Sequence, residues 1–258
     1  KYEILKEKLG GDYPFEVLGH NALRKEEPHI GPKVVGAILH HQDGHANPLK
    51  LLKSLAADVR RMGGRVLTGK TVTDVVKPDG FVITCADGTT LGAGKVILSA
   101  GLGAAQLGPK MGFKAPIRPQ RGQVLITEKL PKLINRPSLI ARQVDEGGIQ
   151  IGATNEEVGH DDRVTQPGLS GLAAEAIAAY PALARAQLVR SWGALRVLSP
   201  DGLPIYQQSA EMPGAYLVTC HSGITLAAAH ARLLPDWLEG SEAAPDLEVF
   251  SEDRFAVS

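Results

Sequence analysis

The chain has 258 residues, 43% of them hydrophobic, enough for one large domain or two small ones with a sizeable core. Lysine plus arginine and aspartate plus glutamate balance at 28 each, so nothing points to nucleic acid or an anionic membrane as a partner. No apolar run is long enough to span a bilayer. The first residues, Lys1-Tyr2-Glu3, carry neither a methionine nor a signal-peptide pattern, so the chain reads as a piece of a longer protein or a processed one. Cys85 and Cys220 are the two cysteines; they make neither a disulfide framework nor a zinc site, and they fit a reducing compartment, which predicts a cytoplasmic protein.

In chain order, residues 1–9 can form a short charged helix, and residues 21–27 another, stopped by Pro28. Val34–His40 is a strand candidate. The run H-H-Q-D-G-H follows at residues 40–45; its spacing matches no zinc ligand set, so the histidines read as polar residues around an Asp43-Gly44 turn and no metal is expected. Asn47 is a good N-cap and Pro48 a good first helical residue. Leu52, Leu55, Ala56 and Val59 then recur at the spacing of an amphipathic helix, which Gly63-Gly64 ends. Strands are predicted at 65–67, 71–76 and 81–86, with an Asp87-Gly88 hairpin turn before 89–91. Lys95–Ala100, K-V-I-L-S-A, is short, apolar and bounded by glycines, the pattern of a buried parallel strand.

That strand runs into G-L-G-A-A-Q-L-G, residues 101–108. It fails the dinucleotide fingerprint because Gln106 stands where the third glycine belongs, and no acid follows at the required distance. It reads as a strand-to-helix turn whose glycines permit close backbone approach. From Ile117 the strands lengthen, at 122–127, 138–144 and 148–153, before the polar loop N-E-E-V-G-H-D-D and an alanine-rich helix at 169–180. This middle portion has an antiparallel texture and is expected to form a separate lobe.

The stretch S-W-G-A-L-R-V-L-S-P-D-G-L-P-I-Y, residues 191–206, holds one arginine, Arg196, in a nearly uncharged run. The strand leading into it is expected to be half buried, with a turn at Ser199–Gly202 and a second short strand at 203–206. A guanidinium offers a planar fork that binds a carboxylate with two parallel hydrogen bonds. That carboxylate could belong to a ligand or to one of the chain's own acids. Finally, the apolar strand 215–220 enters H-S-G-I-T-L-A-A-A-H, where Ser222 is placed to cap a helix whose N-terminus suits an anion or an electron-rich ring edge.

The order of these pieces resembles the flavin-dependent amine and amino-acid oxidoreductases, the family of glycine oxidase, sarcosine oxidase, the D-amino-acid dehydrogenases and the opine oxidases. The segments that carry it are D-G-H-A-N-P-L-K-L-L-K-S-L, K-V-I-L-S-A-G, P-Q-R-G-Q-V-L-I, I-G-A-T-N-E-E-V-G, W-G-A-L-R-V-L-S-P-D-G-L-P and C-H-S-G-I-T-L-A, covering about His40 to Phe255. The resemblance implies that Arg196 grips a substrate carboxylate. It places Ser99, Ala100 and Gly101 near the dinucleotide part of FAD and the Val72 backbone near the adenine. It lays His221, Ser222, Gly223, Ile224, Thr225 and Leu226 against the isoalloxazine, His221 being the candidate catalytic residue. Asn155 would line the substrate pocket, polar where glycine oxidase has an apolar residue, which implies a different substrate.

The family's first βαβ unit, with its G-x-G-x-x-G, is not in this sequence, so FAD is expected to be poorly held or absent in this piece alone. Cys220 is displaced from the position where some relatives tether the flavin, which implies that the flavin is non-covalent. The expected fold class is α/β (α+β): the remnant of a parallel flavin-binding lobe, 44–108 and 191–258, with an inserted antiparallel or mixed-sheet substrate lobe, 1–43 and 109–190. The implied function is FAD-dependent oxidation of the C–N bond of an amino acid or secondary amine that carries a carboxylate, with a partner subunit or another electron acceptor possible. The alternative is a non-catalytic or truncated subunit of a multi-chain dehydrogenase that binds a partner chain.

Overall fold

The computed structural model describes Glu7 and residues 15–256; apart from Glu7, the predicted helix at 1–9 lies outside the described residues. The chain divides into two compact units, the first made of 1–47, 121–156 and 161–194, the second of 48–120, 157–160 and 195–258.

Among its described residues the first unit contains β1 (Phe15–Gly19), α1 (His20–Glu26) and β2 (Gly36–His40); β1 and β2 pair antiparallel from Phe15↔His40 to Gly19↔Gly36. The chain leaves α1 through Glu27, a buried carboxylate that accepts from the backbone N–H groups of Asn135, at 3.0 Å, and Arg136, at 2.6 Å. Burial pushes its carboxyl above the usual value, against those hydrogen bonds. Three further strands follow, the long β7 (Arg118–Lys129) and the shorter β8 (Ala141–Gln143) and β9 (Gly148–Gly152). With β10 (Leu188–Leu198) they form a sheet in the order β10-β7-β9-β8.

The alanine-rich helix α4 (Gln166–Ala179) buries Leu172, Ala176 and Ala179 in one core with Leu125, Ile149 and Ile151 of the sheet. Its entry is set by Thr165, whose hydroxyl accepts from Gly168 N, and by proline in the first turn. A Cβ on Gly168 would sit 2.4 Å from Gln123 Nε2, so glycine is what lets the helix approach the strand.

The second unit contains α2 (Pro48–Arg61), an antiparallel sheet of β3 (Val72–Val76), β4 (Phe81–Cys85) and β5 (Thr90–Ala93), and a mixed sheet in the order β11-β12-β6. In the mixed sheet β12 (Ala215–Thr219) runs antiparallel to β11 (Ile205–Gln208) and parallel to β6 (Val96–Leu98), with Tyr216 opposite Ile97. Both sheets feed one core, where Val75 and Phe81 meet Leu98, Met111, Phe113, Ile205 and Leu217. The unit also holds a short turn of helix, α3 (Ala104–Leu107), and the last helix, α5 (Ala227–Glu239), which Gly240 closes in the left-handed conformation. Trp237 of α5 packs edge-on against Tyr216, with ring centroids 5.1 Å apart. The fold is thus mixed α/β with antiparallel and mixed sheets.

Several sequence expectations need correction. Residues 65–67 form no strand: they lie between the turns of Gly63 and Gly69, both with positive φ. Ser222 does not cap the last helix, which begins five residues later at Ala227 after an irregular turn, with no side-chain cap. The strand before Arg196 is not evenly half buried, since its first four residues are exposed. The strand predicted at 203–206 forms at Ile205–Gln208 instead, because the turn holds Leu203 in its own hydrogen bonds. The apolar stripe of α2 is present but buries no residue; Leu52 is 55% and Leu55 48% exposed.

Candidate functional site

The parallel pairing of β6 and β12 brings their carboxyl ends to the same edge of the mixed sheet. Ser99-Ala100-Gly101 leaves from one and Cys220-His221-Ser222 from the other. Crevices outside the carboxyl ends of parallel strands are the usual ligand position in such sheets. Ser99 and Ala100 are exposed there, and Gly101 adopts φ +55°, which glycine tolerates without strain. Its position for a Cβ lies 3.5 Å from Val197 Cγ2, so the end of β6 packs beside the residue that follows Arg196. The turn after Cys220 is held by Leu226 N donating to Ser222 O at 2.9 Å. His221 is exposed at this turn, its Nδ1 3.2 Å from Ser222 Oγ. Val72 opens β3 and packs, partly buried, against the core shared by the two sheets.

Arg196 lies near the end of β10 and is half buried, and burial lowers its guanidinium from the ordinary value. Its Nη1 donates to Gln120 Oε1 at 3.5 Å. The turn beyond it is rigidly tied. Ser199 Oγ donates to Leu203 O at 2.6 Å, and Arg254 grips Asp201 with Nε at 2.9 Å and Nη2 at 3.1 Å. That fork holds the Asp201 carboxyl well below the usual carboxylate range. Asn155 is exposed in the coil after β9 and belongs to the first unit, whereas Arg196, Val72, 99–101 and 221–226 belong to the second.

Residues 99–101 and 221–226 suit a large planar cofactor. They are small or uncharged apart from His221, mostly exposed, and set where backbone can be approached closely. Cys220 is half buried, and burial raises its thiol pKa. Among the described residues no group of three or more His, Cys, Asp or Glu side chains is placed to hold a metal ion, and no helix is long and apolar enough to cross a membrane. A cavity of about 610 Å³ in the second unit is lined by Tyr206, Trp237, Glu248 and Arg254 among others, and by none of the residues named from the sequence.

Sequence reasoning passed over two polar networks. In the first unit Arg121, 3% exposed, meets Glu156 at 2.6 Å and Asp161 at 3.2 Å. In the second, Gln120 lies between Arg196 and Glu157. The available signal was the density of polar residues in R-P-Q-R-G-Q, unusual for a strand that turns buried from Arg121 onward.

The family model described as FAD dependent oxidoreductase matches residues 1–237. The chain belongs to the FAD-dependent oxidoreductases. A subunit of the opine oxidase of Agrobacterium tumefaciens (strain Ach5) is 38% identical over 255 residues, which cover 98% of this chain and 68% of that protein. Hydrogen cyanide synthase subunit HcnC of Pseudomonas protegens is 35% identical over 260 residues, covering 93% of this chain and 60% of its own length. The corresponding opine oxidase chain of Rhizobium meliloti is matched over 65% of its length, so the chain spans about two thirds of these curated relatives. The crystal structure of glycine oxidase from Geobacillus kaustophilus superposes with a TM-score of 0.89 at 25% identity, covering 98% of this chain and 70% of that one. FAD is the cofactor of this family of oxidoreductases.

Proposed function

We propose that the chain takes part in oxidising the C–N bond of an amino acid or secondary amine that carries a carboxylate, with FAD bound non-covalently. The observation that supports this reading is a half-buried arginine whose neighbour, Val197, would stand 3.5 Å from a Cβ on Gly101, just past the carboxyl end of β6 and within the same unit. Arg196 supplies the carboxylate fork. Ser99, Ala100 and Gly101, with the backbone at Val72, would meet the dinucleotide part of FAD. The turn from His221 through Ser222, Gly223, Ile224 and Thr225 to Leu226 would lie against its ring. When bound, the flavin accepts a hydride from the carbon next to the substrate nitrogen. The protein contributes orientation: anchoring the carboxylate fixes where that carbon sits and removes rotational freedom before the reaction. No side-chain base is required when the amine binds neutral, so His221 is assigned contact with the ring and no proton transfer.

The opine oxidase and hydrogen cyanide synthase relatives are each named as one subunit of a larger enzyme. That supports a second reading, in which this chain works with a partner that receives the electrons. Peroxide release on turnover by the isolated protein separates direct use of oxygen from transfer to a partner. The two cysteines, one buried and one half buried, favour a reducing, cytoplasmic setting.

The test of the site is Arg196→Lys in the complete, FAD-loaded protein. The charge stays but the bidentate fork goes. Loss of a charge-assisted hydrogen bond costs about 1.5–3 kcal/mol, so substrate affinity falls roughly ten- to a hundredfold while flavin binding and Tm hold. A lower Tm with unchanged substrate saturation removes Arg196 from the site.

A further inference from the structure

Gln120, near the start of β7, sits between two groups whose hydrogen-bonding characters are fixed. Arginine only donates, and an ionised carboxylate only accepts. Gln120 Nε2 donates to Glu157 Oε1 at 2.7 Å, and Gln120 Oε1 accepts from Arg196 Nη1 at 3.5 Å. Arg118 Nη1 donates to the other Glu157 oxygen. Hydrogen bonds from Gln120 and then Arg118 hold the Glu157 carboxyl below its ordinary value, so it stays an acceptor. An amide has one donating and one accepting end. Between Glu157 and Arg196 a single orientation satisfies both neighbours, with the carbonyl turned to the guanidinium.

We infer that Gln120, its amide turned by the Arg118–Glu157 pair, is a positioning residue that orients Arg196 for a carboxylate ligand without adding negative charge beside it. This rests on the reading of Arg196 as the carboxylate-binding group. The choice of amide over acid is what the chemistry requires. A carboxylate at position 120 would match the guanidinium fork, compete for it and repel an incoming anion. A neutral carbonyl limits rotation of the guanidinium and adds no charge of its own. At 3.5 Å the hydrogen bond is long and weak, so it biases the direction of the guanidinium without holding it. Glu157 acts at one remove: its charge is paired with Arg118, and what reaches Arg196 is the direction of the amide. All four side chains belong to the second unit.

The experiment titrates the complete, FAD-loaded protein with benzoate, a carboxylate with no C–N bond to oxidise, by calorimetry, and records Tm for each variant. Gln120→Glu should weaken benzoate roughly tenfold or more, and Gln120→Leu by several-fold, about the range of one orienting hydrogen bond. Glu157→Gln should weaken it by several-fold because the amide at 120 is then able to flip. A purely structural Gln120 moves Tm and leaves benzoate affinity alone. If Arg196→Lys weakens benzoate while both Gln120 variants bind it as the wild type does, the positioning role is wrong and the reading of Arg196 stands. If Arg196→Lys also leaves benzoate affinity unchanged, the carboxylate-site reading itself fails. Should the Gln120 variants not fold, Glu157→Gln decides alone: Glu157 is 57% exposed, so the fold survives its change, and wild-type benzoate affinity in that variant overturns the inference.

Discussion

Glu156→Gln is the sharpest test of how the first unit is held together. Glu156 accepts from Arg121 Nη2 at 2.6 Å, from Gln123 Nε2 at 2.7 Å and from the Thr154 hydroxyl. The substitution keeps the shape but turns one acceptor into a donor facing other donors. A hydrogen bond to a charged group is worth about 1.5–3 kcal/mol. Asp161, 3.2 Å from Arg121 Nη1, still offsets part of the buried charge, so the lower end of that range applies. The titration behaviour gives a second route. The three hydrogen bonds, Arg121 first, hold the carboxyl at about 2 against the usual 4.5. Each pH unit of that gap is worth about 1.4 kcal/mol, a ceiling of roughly 3 kcal/mol. Solvent screening lowers it, because the side chain is 25% exposed. Both routes converge on about 2 kcal/mol. The sign follows from a folded pKa below the unfolded one: the stabilisation is complete above about pH 4.5 and is lost as pH falls toward 2. In a Trp237→Phe background, Trp192 fluorescence reports urea unfolding of the first unit. The gap between parent and Glu156→Gln should be about 2 kcal/mol at pH 7 and shrink toward pH 3. A gap below about 0.5 kcal/mol, or one that does not change with pH, refutes the reasoning.

Two further outcomes follow from the second unit. Leu217→Ala deletes a side chain that is 0% exposed at the centre of the core joining both sheets, and should cost about 2–5 kcal/mol in urea unfolding; a cost under about 1 kcal/mol would mean that the core collapses around the gap. Tyr206 Oη lies 2.7 Å from His230 Nε2, and burial pushes the phenol up to about 12, so the hydroxyl keeps its proton and can donate to the imidazole. Tyr206→Phe removes a donor that favours the neutral imidazole and should therefore raise the His230 pKa, while burial continues to hold it below the ordinary value; an NMR titration that shows no rise indicates the opposite tautomer.

Much of this architecture was legible because local chemistry decided it. Lys95–Ala100 is short and bounded by glycines, and β6 pairs parallel with β12 as expected, but the strand is not the buried one the pattern implied: of its three residues only Leu98 is buried and Ile97 is 48% exposed. Pro48 opens α2 and the glycines at 63–64 follow its end, as their backbone preferences dictate. What escaped was whatever depends on a distant partner. Periodicity marks one face of α2 as apolar, but it does not say what covers that face, and among the described residues none of its side chains is buried. The start of α5 escaped for a related reason: Ser222 has the chemistry of a cap, yet the chain makes a turn through Ile224 and Leu226 first. Residue type alone also cannot orient an amide, so Gln120 looked like any polar residue in a strand.

Arg121 and Arg196 show why site chemistry has to be argued from partners rather than from residue type. Both are arginines on long strands, and from the sequence each could have been a carboxylate clamp or a salt bridge. Arg121 faces Glu156 and Asp161 from the chain itself, and Glu156 ties β7 to the segment after β9 through the backbone bridge Arg121↔Glu156 as well. Its fork is committed to structure. Arg196 meets the carbonyl of Gln120, a neutral group turned toward it by an acid that is itself paired with Arg118. The proposed role of Arg196 as a carboxylate clamp is supported by this neutral neighbour, and Arg196→Lys tests it.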